Sequence, residues 1–412
     1  MSILNVENVT HSFGGRQIFE DVSFRLLKGD RVGLIGANGE GKSTFMSIIT
    51  DKLMPDEGNI EWAKRVRVGY LDQQTVLEKG LTIRDILRQA FQYMYDDEAE
   101  MNAKYDAMAN ADADELDRLV HEASDIQDTL THNGFYMLDS KIEQVASGLG
   151  LREVGLDTDV DNLSGGQRTK ILFAKLLLQV PDVLLLDEPT NFLDEEHIVW
   201  LKNYLLSYEN AFILISHDME FLNSVVNLIY HVENANLTRY VGDYNAFLGL
   251  YELKKNQLEA AHAKQQNEIA HLQDFIARNK ARVATANMAK SRQKQLDKMD
   301  IIELSREKPK PHFSFQAART SDKLIFETKD LVIGYDQPLS KPLNLLLERG
   351  QKIALVGSNG LGKTTLLRSL LGEIPAISGE TMQGHNQFVG YFEQETRADN
   401  RKTCIEDVWE VF

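Results

Sequence analysis

Apolar positions recur along this chain in three rhythms, and each rhythm predicts a different kind of element. At the start, Ile3, Val6 and Val9 flank polar positions, and Val22 and Phe24 resume the alternation after a Gly14-Gly15 turn. That pattern predicts an antiparallel edge sheet. Short continuous apolar runs follow at Arg31 to Ile35, Val66 to Leu71, Val183 to Leu186 and Ala211 to Ser216. They read as strands of a parallel core, covered on both faces. The third rhythm is helical. Leu250 to Lys308 contains neither glycine nor proline, and Leu253, Leu258, Ile269, Leu272, Phe275 and Ile276 recur there at spacings of three to five. One straight helix of that length would reach about 80 Å. An antiparallel hairpin with arms of about 40 Å is therefore expected, turning near 284–287 where helix propensity weakens.

Charge separates the helical stretches. From Phe91 to Leu130 twelve Asp and Glu face only Lys104 and Arg118, a net of −10, so this helical insertion should be repelled by nucleic-acid phosphates. From Arg278 to Lys298 the balance reverses. Arg278, Lys280, Arg282, Lys290, Arg292, Lys294 and Lys298 stand against Asp297 alone, in a protein of net charge −17. Basic residues at the end of a projecting hairpin are placed to meet phosphates away from an acidic body.

Composition narrows the class. The 412 residues, 43% of them hydrophobic, leave room for two or three cored domains. A single cysteine, Cys404, excludes a disulfide framework or a multi-cysteine metal site within the chain, and a reducing cytosol fits best. The N-terminus lacks a basic region followed by an apolar core, so no signal peptide is expected. The most apolar stretch, Ile171 to Leu186, is broken by Lys175, Pro181 and Asp182. It falls short of the roughly 20 residues a bilayer needs.

Candidate chemistry gathers in two places. Gly36-Ala-Asn-Gly-Glu-Gly-Lys-Ser43 lies between a predicted strand and a helix opening at Thr44, the context a phosphate-binding loop requires. Its glycines, Gly36, Gly39 and Gly41, let backbone amides wrap a β-phosphate, Lys42 reaches the β- and γ-oxygens, and Ser43 offers a hydroxyl to Mg²⁺. The second place is Leu163 to Asp194. Ser164, Gly165 and Gly166 leave free N–H groups at a helix N-terminus, which favours an anion. The strand behind them ends in Asp187 and Glu188, the first placed to hold Mg²⁺ and the second to polarise an attacking water.

The strings LSGGQ and LLLDEPTNFLD at this spacing resemble the signature, Walker B and D-loop of the ATP-binding cassette family. The resemblance implies further roles for single residues. Phe13 would stack on adenine, Asn38 and Thr44 would join the phosphate cradle, and Gln73 would sense Mg²⁺ and the γ-phosphate. Gln167 and Asp194 would belong to the signature and D-loop contacts with ATP, and His217 would act as the switch histidine. The opening of the chain is repeated from Leu324, with a second loop at Gly357 to Thr364. There Tyr335 takes the place of Phe13, Gln394 that of Gln73, and Gly357, Asn359, Gly360, Gly362, Lys363, Thr364 and Thr365 supply the second loop; Thr364 and Gln394 would serve its metal.

Two such cassettes on one chain with a charged helical linker resemble the ABC-F subfamily, soluble translation factors. The resemblance implies an α/β protein: a first cassette over 1–241 with its acidic insertion at about 91–135, a helical hairpin linker over 242–320, and the N-terminal part of a second cassette over 321–412. It implies ATP and Mg²⁺ as cofactors, ATP hydrolysis, a cytoplasmic location, and a ribosomal partner near the E site. The basic linker tip would contact P-site tRNA or rRNA. Only eighteen residues follow Gln394, so the second cassette stops before its own signature, carboxylates and switch histidine. A fragment of a longer, hydrolysis-competent protein is therefore expected. The competing readings are a transport ATPase docking on separate membrane subunits, and a tandem scaffold that binds ATP without turnover.

Overall fold

The computed structural model describes residues 2–71, 77–109, 111–279, 286–301, 322–335, 337–357, 361–387, 389–392 and 403–409. Gln73, Lys280, Arg282, Asn359, Gly360 and Gln394, singled out above, lie outside the described residues. The chain divides into two compact units, Met1–Lys308 and Pro309–Phe412.

In the first unit β1 (Ser2–Phe13) and β2 (Arg16–Leu27) form a hairpin, β3 (Arg31–Ile35) leads into α1 (Lys42–Ile49), and β4 (Glu57–Trp62) and β5 (Val68–Tyr70) follow. The helical stretch runs α2 (Ile83–Arg88), α3 (Gln92–Met108), α4 (Ala113–His132), α5 (Leu138–Gly148) and α6 (Gly165–Leu178). The chain then returns through β6 (Val183–Asp187), α7 (Glu195–Ser207), β7 (Ala211–Ile215), α8 (Met219–Val225), β8 (Leu228–Glu233) and β9 (Asn236–Val241). It leaves through α9 (Tyr244–Asn279) and α10 (Ala286–Asp297).

Two sheets result. The antiparallel one has the order β2-β1-β4, as the opening alternation predicts. The other has the order β5-β6-β7-β3-β8-β9, parallel except for β9. The apolar runs are explained by this second sheet, which is covered on both faces. Val183 and Leu185 of β6, with Ala211, Ile213 and Ile215 of β7, pack toward α1 and the antiparallel sheet. Leu184, Leu186, Phe212 and Leu214 pack toward the helices on the other side. No position on β6 before Asp187 can be polar without facing one core or the other.

The acidic insertion is the α3–α4 hairpin. Met94, Met101, Leu119, Ala123 and Leu130 are buried. Lys104 is bonded to Glu100 on its own helix and to Glu122 across the pair. Two helices make up the described part of the linker, while its expected turn at 284–285 and the segment 302–320 lie outside the described residues. At 36 residues α9 spans about 54 Å, whereas α10 has 12 and spans about 18 Å. The first turns of α9 belong to the cassette body. Phe247 is buried among Tyr240, Tyr244, Tyr251 and His231, with ring centroids 5.0–5.8 Å apart, and the Tyr251 hydroxyl donates to Glu233 at 2.8 Å. Beyond the root the arms are joined where Gln265 donates to the Asp300 carbonyl at 2.6 Å.

The second unit repeats the opening in miniature. Strands β10 (Leu324–Val332), β11 (Leu346–Glu348) and β12 (Ser378–Gln383) form a sheet of order β11-β10-β12, beside α11 (Lys363–Leu370), with α12 (Cys404–Trp409) after them. The structure shows Gln351 to Gly357 without strand pairing and exposes Ile353, Leu355 and Val356. In the first unit β3 is flanked by β7 and β8. Among the described residues the second unit offers no such neighbours, and a parallel strand without them has no ladder to join.

Candidate functional site

Three adjacent parallel strands, β6, β7 and β3, end on the same edge, where open α/β sheets hold ligands. Their ends enclose a cleft of about 410 Å³ lined by Phe13, Ile18, Asn38, Gly39, Gly41, Lys42, Ser43, Thr44, Asp187, Glu188, Ile215 and His217. The loop after β3 is shaped by glycine. Gly36 lies at φ 157° with the Val232 carbonyl oxygen only 2.5 Å from where a Cβ would stand. Gly41 caps α1 at φ 110°, and a Cβ there would meet Ile18 Cγ2 at 2.5 Å. The Lys42 ammonium donates to the Gly36 carbonyl at 2.7 Å and the Ala37 carbonyl at 3.2 Å, so it lies along the loop it serves.

The carboxylates sit across from this loop. Ser43 donates its hydroxyl to Asp187 Oδ2 at 3.2 Å. Burial pushes the Asp187 carboxyl above its usual range, opposed by the Ser43 bond and by Lys42 and His217 nearby. Glu188 adopts φ 51°, in the left-handed region that side chains other than glycine avoid. What holds it there is a pair of bonds to the neighbouring strand end: its amide donates to the Ile215 carbonyl at 2.9 Å, and its Oε2 accepts from the His217 amide at 3.0 Å. The other oxygen, Oε1, is buried with no hydrogen-bond partner and lies 3.5 Å from His217 Nε2. A non-glycine residue held in this conformation, with one carboxylate oxygen unspent, is the pattern of strain kept for chemistry.

These donors fit a hard cation. Ser43 and Asp187 offer oxygen, the ligand Mg²⁺ prefers, and Mg²⁺ takes its other positions from phosphates and water. Among the described residues no group of three His, Cys, Asp or Glu could hold a metal ion.

The signature residues stand elsewhere. Ser164 is the N-cap of α6, its Oγ accepting from the Gln167 amide at 3.3 Å while Gln167 Oε1 accepts from the Ser164 amide at 2.9 Å. This reciprocal box holds Gly165 and Gly166 at an exposed helix start, with open space where a Cβ would stand. None of the four lines the cleft. Asp194 caps α7, accepting from the His197 amide at 3.3 Å, and also lies apart from it. Arg16, Ile18 and Ile215 carried no motif. Arg16 donates to the Gly39 carbonyl at 2.9 Å, and its one signal was nearness to Phe13 across the Gly14-Gly15 turn.

In the second unit Lys363 donates to the Gly357 carbonyl at 2.6 Å, repeating the Lys42 bond, and Gly362 caps α11 at φ 86° as Gly41 caps α1. Thr364 and Tyr335 are exposed, while Thr365 is buried. On the linker, Lys290, Arg292, Lys294 and Lys298 are exposed. Arg278 is exposed but ion-paired with Asp274 at 2.8 Å. No described helix is long and apolar enough to cross a membrane.

Comparison with known proteins agrees with this geometry. The family model described as "ABC transporter" matches residues 19–191 and 340–410, and a second model with the same description, for the extension between cassettes, matches 230–315. The chain is 68% identical over its whole length to "Uncharacterized ABC transporter ATP-binding protein YfmM" of Bacillus subtilis (strain 168), covering 80% of that protein. It is 34% identical to ABC transporter F family members 2 and 5 of Arabidopsis thaliana, over 99% of this chain and 62% and 60% of theirs. The chain thus spans about three fifths of the plant relatives. A phosphate loop, a paired carboxylate strand end, a helical extension and a repeated cassette opening place this chain in the ABC transporter family of ATP-binding proteins, as an ABC-F type member whose second cassette is partial.

Proposed function

We propose that the chain binds ATP with Mg²⁺ in the first-unit cleft, that the whole protein hydrolyses it, and that this cycle governs attachment to a ribosome. One observation supports the enzymatic part above all others. Three neighbouring strand ends bring Lys42 and Ser43, His217, and Asp187 with Glu188 to one cleft. In this reading Phe13 stacks on adenine, the glycine loop with Asn38 and Thr44 cradles the phosphates, and Ser43 and Asp187 hold the cation. Mg²⁺ would supply charge neutralisation between the β- and γ-phosphates. Glu188 would orient the attacking water through its unspent Oε1, and His217 would fix the Glu188 carboxylate and meet the γ-phosphate.

Ser164 to Gln167 and Asp194, set away from this cleft, would serve the opposite face of a composite site, covering the phosphate of a second cassette. Tyr335, Gly357, Gly362, Lys363, Thr364 and Thr365 would make that cassette's nucleotide contacts. The domain plan we favour is a first cassette over 1–241, a linker over 242–320 and a second cassette from 321.

The linker would reach into the ribosomal E site, with the basic residues from Arg278 to Lys298 contacting P-site tRNA or rRNA. Exposed Lys290, Arg292, Lys294 and Lys298 support this part. Ribosome pelleting with Glu188→Gln, with and without ATP, tests the whole. ATP-dependent retention on ribosomes is expected, and nucleotide-independent sedimentation would refute the coupling.

A further inference from the structure

The residue two positions before Phe13 carries a polar group that the fold does not need. His11 is buried, at 4% exposure, in a strand whose neighbouring inward positions are apolar. Neither ring nitrogen has a hydrogen-bond partner. Its ring meets Phe13 edge to face, with centroids 4.6 Å apart at 88°. Beyond it stands Asp56, whose Oδ1 lies 3.7 Å from His11 Nδ1 and whose Oδ2 accepts from the Ser12 amide at 2.8 Å. One carboxylate thus addresses the two residues that immediately precede Phe13.

The second unit supplies an internal comparison. Asp56 donates its amide to the Thr10 carbonyl at 2.9 Å, and Ile377 donates to Val332 at the same distance. Gly58 and Gly379 sit at φ 101° and 87° against the backbone of Asn8–Val9 and Asp330–Leu331 respectively. These matches fix the correspondence: His11 with Ile333, Ser12 with Gly334, Asp56 with Ile377, and Phe13 with Tyr335. Ile333 is 2% exposed and packs with Leu331 and Leu366. The same corner is therefore stable when apolar. A buried imidazole without partners leaves its desolvation uncompensated, so the first unit keeps a polar set where an aliphatic one folds.

We infer that His11 and Asp56 are positioning residues for the adenine platform of the first nucleotide site, a polar brace that sets the orientation of Phe13 and that the second unit replaces with Ile333 and Ile377. The inference rests on the reading of Phe13 as that platform. An edge-to-face neighbour restricts the phenyl ring to the orientation that leaves its other face to the base. Asp56, bonded to the Ser12 amide, keeps the backbone beneath the ring from turning. The two nucleotide sites consequently differ in how firmly they hold the base while sharing the same phosphate loop.

The test separates base from phosphate. In a chain carrying Lys363→Ala, to silence the second loop, calorimetry measures binding of ATP–Mg²⁺ and of inorganic tripolyphosphate–Mg²⁺. His11→Ala should weaken ATP by about three- to ten-fold, the size of an aromatic pair's contribution, and leave tripolyphosphate within about two-fold. The double variant His11→Ile with Asp56→Ile, copying the second unit, should fold with equal or greater stability and bind tripolyphosphate as before, with the same selective weakening toward ATP. Equal losses for both ligands, or no loss for ATP in either variant, would overturn the inference. Phe13→Ala separates the two levels. If it lowers ATP binding selectively while the His11 variants do not, only the brace fails; if it does not, the platform and the brace fail together.

Discussion

Replacing Glu188 by Gln changes one atom and should separate chemistry from stability. In the folded chain Oε2 accepts from the His217 amide at 3.0 Å, and Oε1 is buried without a partner. The amide oxygen of Gln can keep the first bond. That bond falls from the charge-assisted class to the neutral one, a loss of about 1 kcal/mol. Against this, an ionised carboxylate with one oxygen unsatisfied carries a desolvation cost of about 1–3 kcal/mol, which the neutral amide lowers. The two effects nearly cancel, so the variant should unfold within about 1 kcal/mol of the parent in urea. Turnover of the whole protein should respond very differently, because the amide cannot draw a proton from water. A loss of about 10²–10⁴ in kcat is expected for removal of a general base. Phosphate release measures the rate, and equilibrium binding of ATP–Mg²⁺ should stay near the parent value. A variant that hydrolyses ATP normally would remove Glu188 from the chemistry. One destabilised by more than about 3 kcal/mol would make the residue a structural lock between the ends of β6 and β7.

Three further outcomes follow from the same structure. Gly41→Ala forces a side chain into φ 110° and against Ile18 and Phe19, and should cost about 2–4 kcal/mol of stability together with ATP binding, read by thermal melts with and without nucleotide. Lys290, Arg292 and Lys294 changed together to Gln should weaken rRNA binding and lower the slope of log K against log salt by about 0.7–0.9 for each phosphate no longer neutralised, measured by filter binding over a salt series. His231, under the linker root, has its ionisation pushed below the usual 6.5 by burial, with Glu233 and Glu40 opposing. The unfolded chain therefore binds the proton first, so stability rises with pH through the window just below 6.5 and is lost as pH falls through it. A urea midpoint that drops below pH 6.5 in the parent but not in His231→Phe supports this, and identical profiles would refute it.

Much of the first unit was legible because its signals are local. A strand buried on both faces must be apolar at every position, so Val183 to Leu186 announces itself. The phosphate loop is equally plain, since Gly36, Gly39, Gly41, Lys42 and Ser43 fall in one short run between a strand and a helix. What the sequence hid depends on contacts distant along the chain. The strain at Glu188 is held by Ile215 and His217, and nothing in LLLDEP records a left-handed backbone. The anchoring of α9 on the cassette body follows from aromatic packing of Phe247 against Tyr240 and His231, which no helix propensity encodes. Lys352 to Val356 repeats the place of β3 without forming a strand, because a strand is a property of its neighbours, and the pairing that β7 and β8 give β3 is absent there among the described residues.

The two helical hairpins of the first unit show how one cassette can present opposite faces to a polyanion. Both are antiparallel, yet α3–α4 directs a net of −10 outward while the linker near its tip carries a net of +6. The internal arrangement sharpens the contrast. Lys104, one of only two basic residues in the acidic hairpin, is spent on Glu100 and Glu122. On the linker Arg278 is tied to Asp274, while Lys290, Lys294 and Lys298 are exposed. At physiological salt such fields fade within about 8 Å, so each hairpin acts on what it touches rather than on the molecule as a whole. A net-negative protein can therefore approach a nucleic-acid surface by one hairpin and be turned away by the other. The sign of each hairpin, more than the total charge, would then set the orientation of the cassette on its partner.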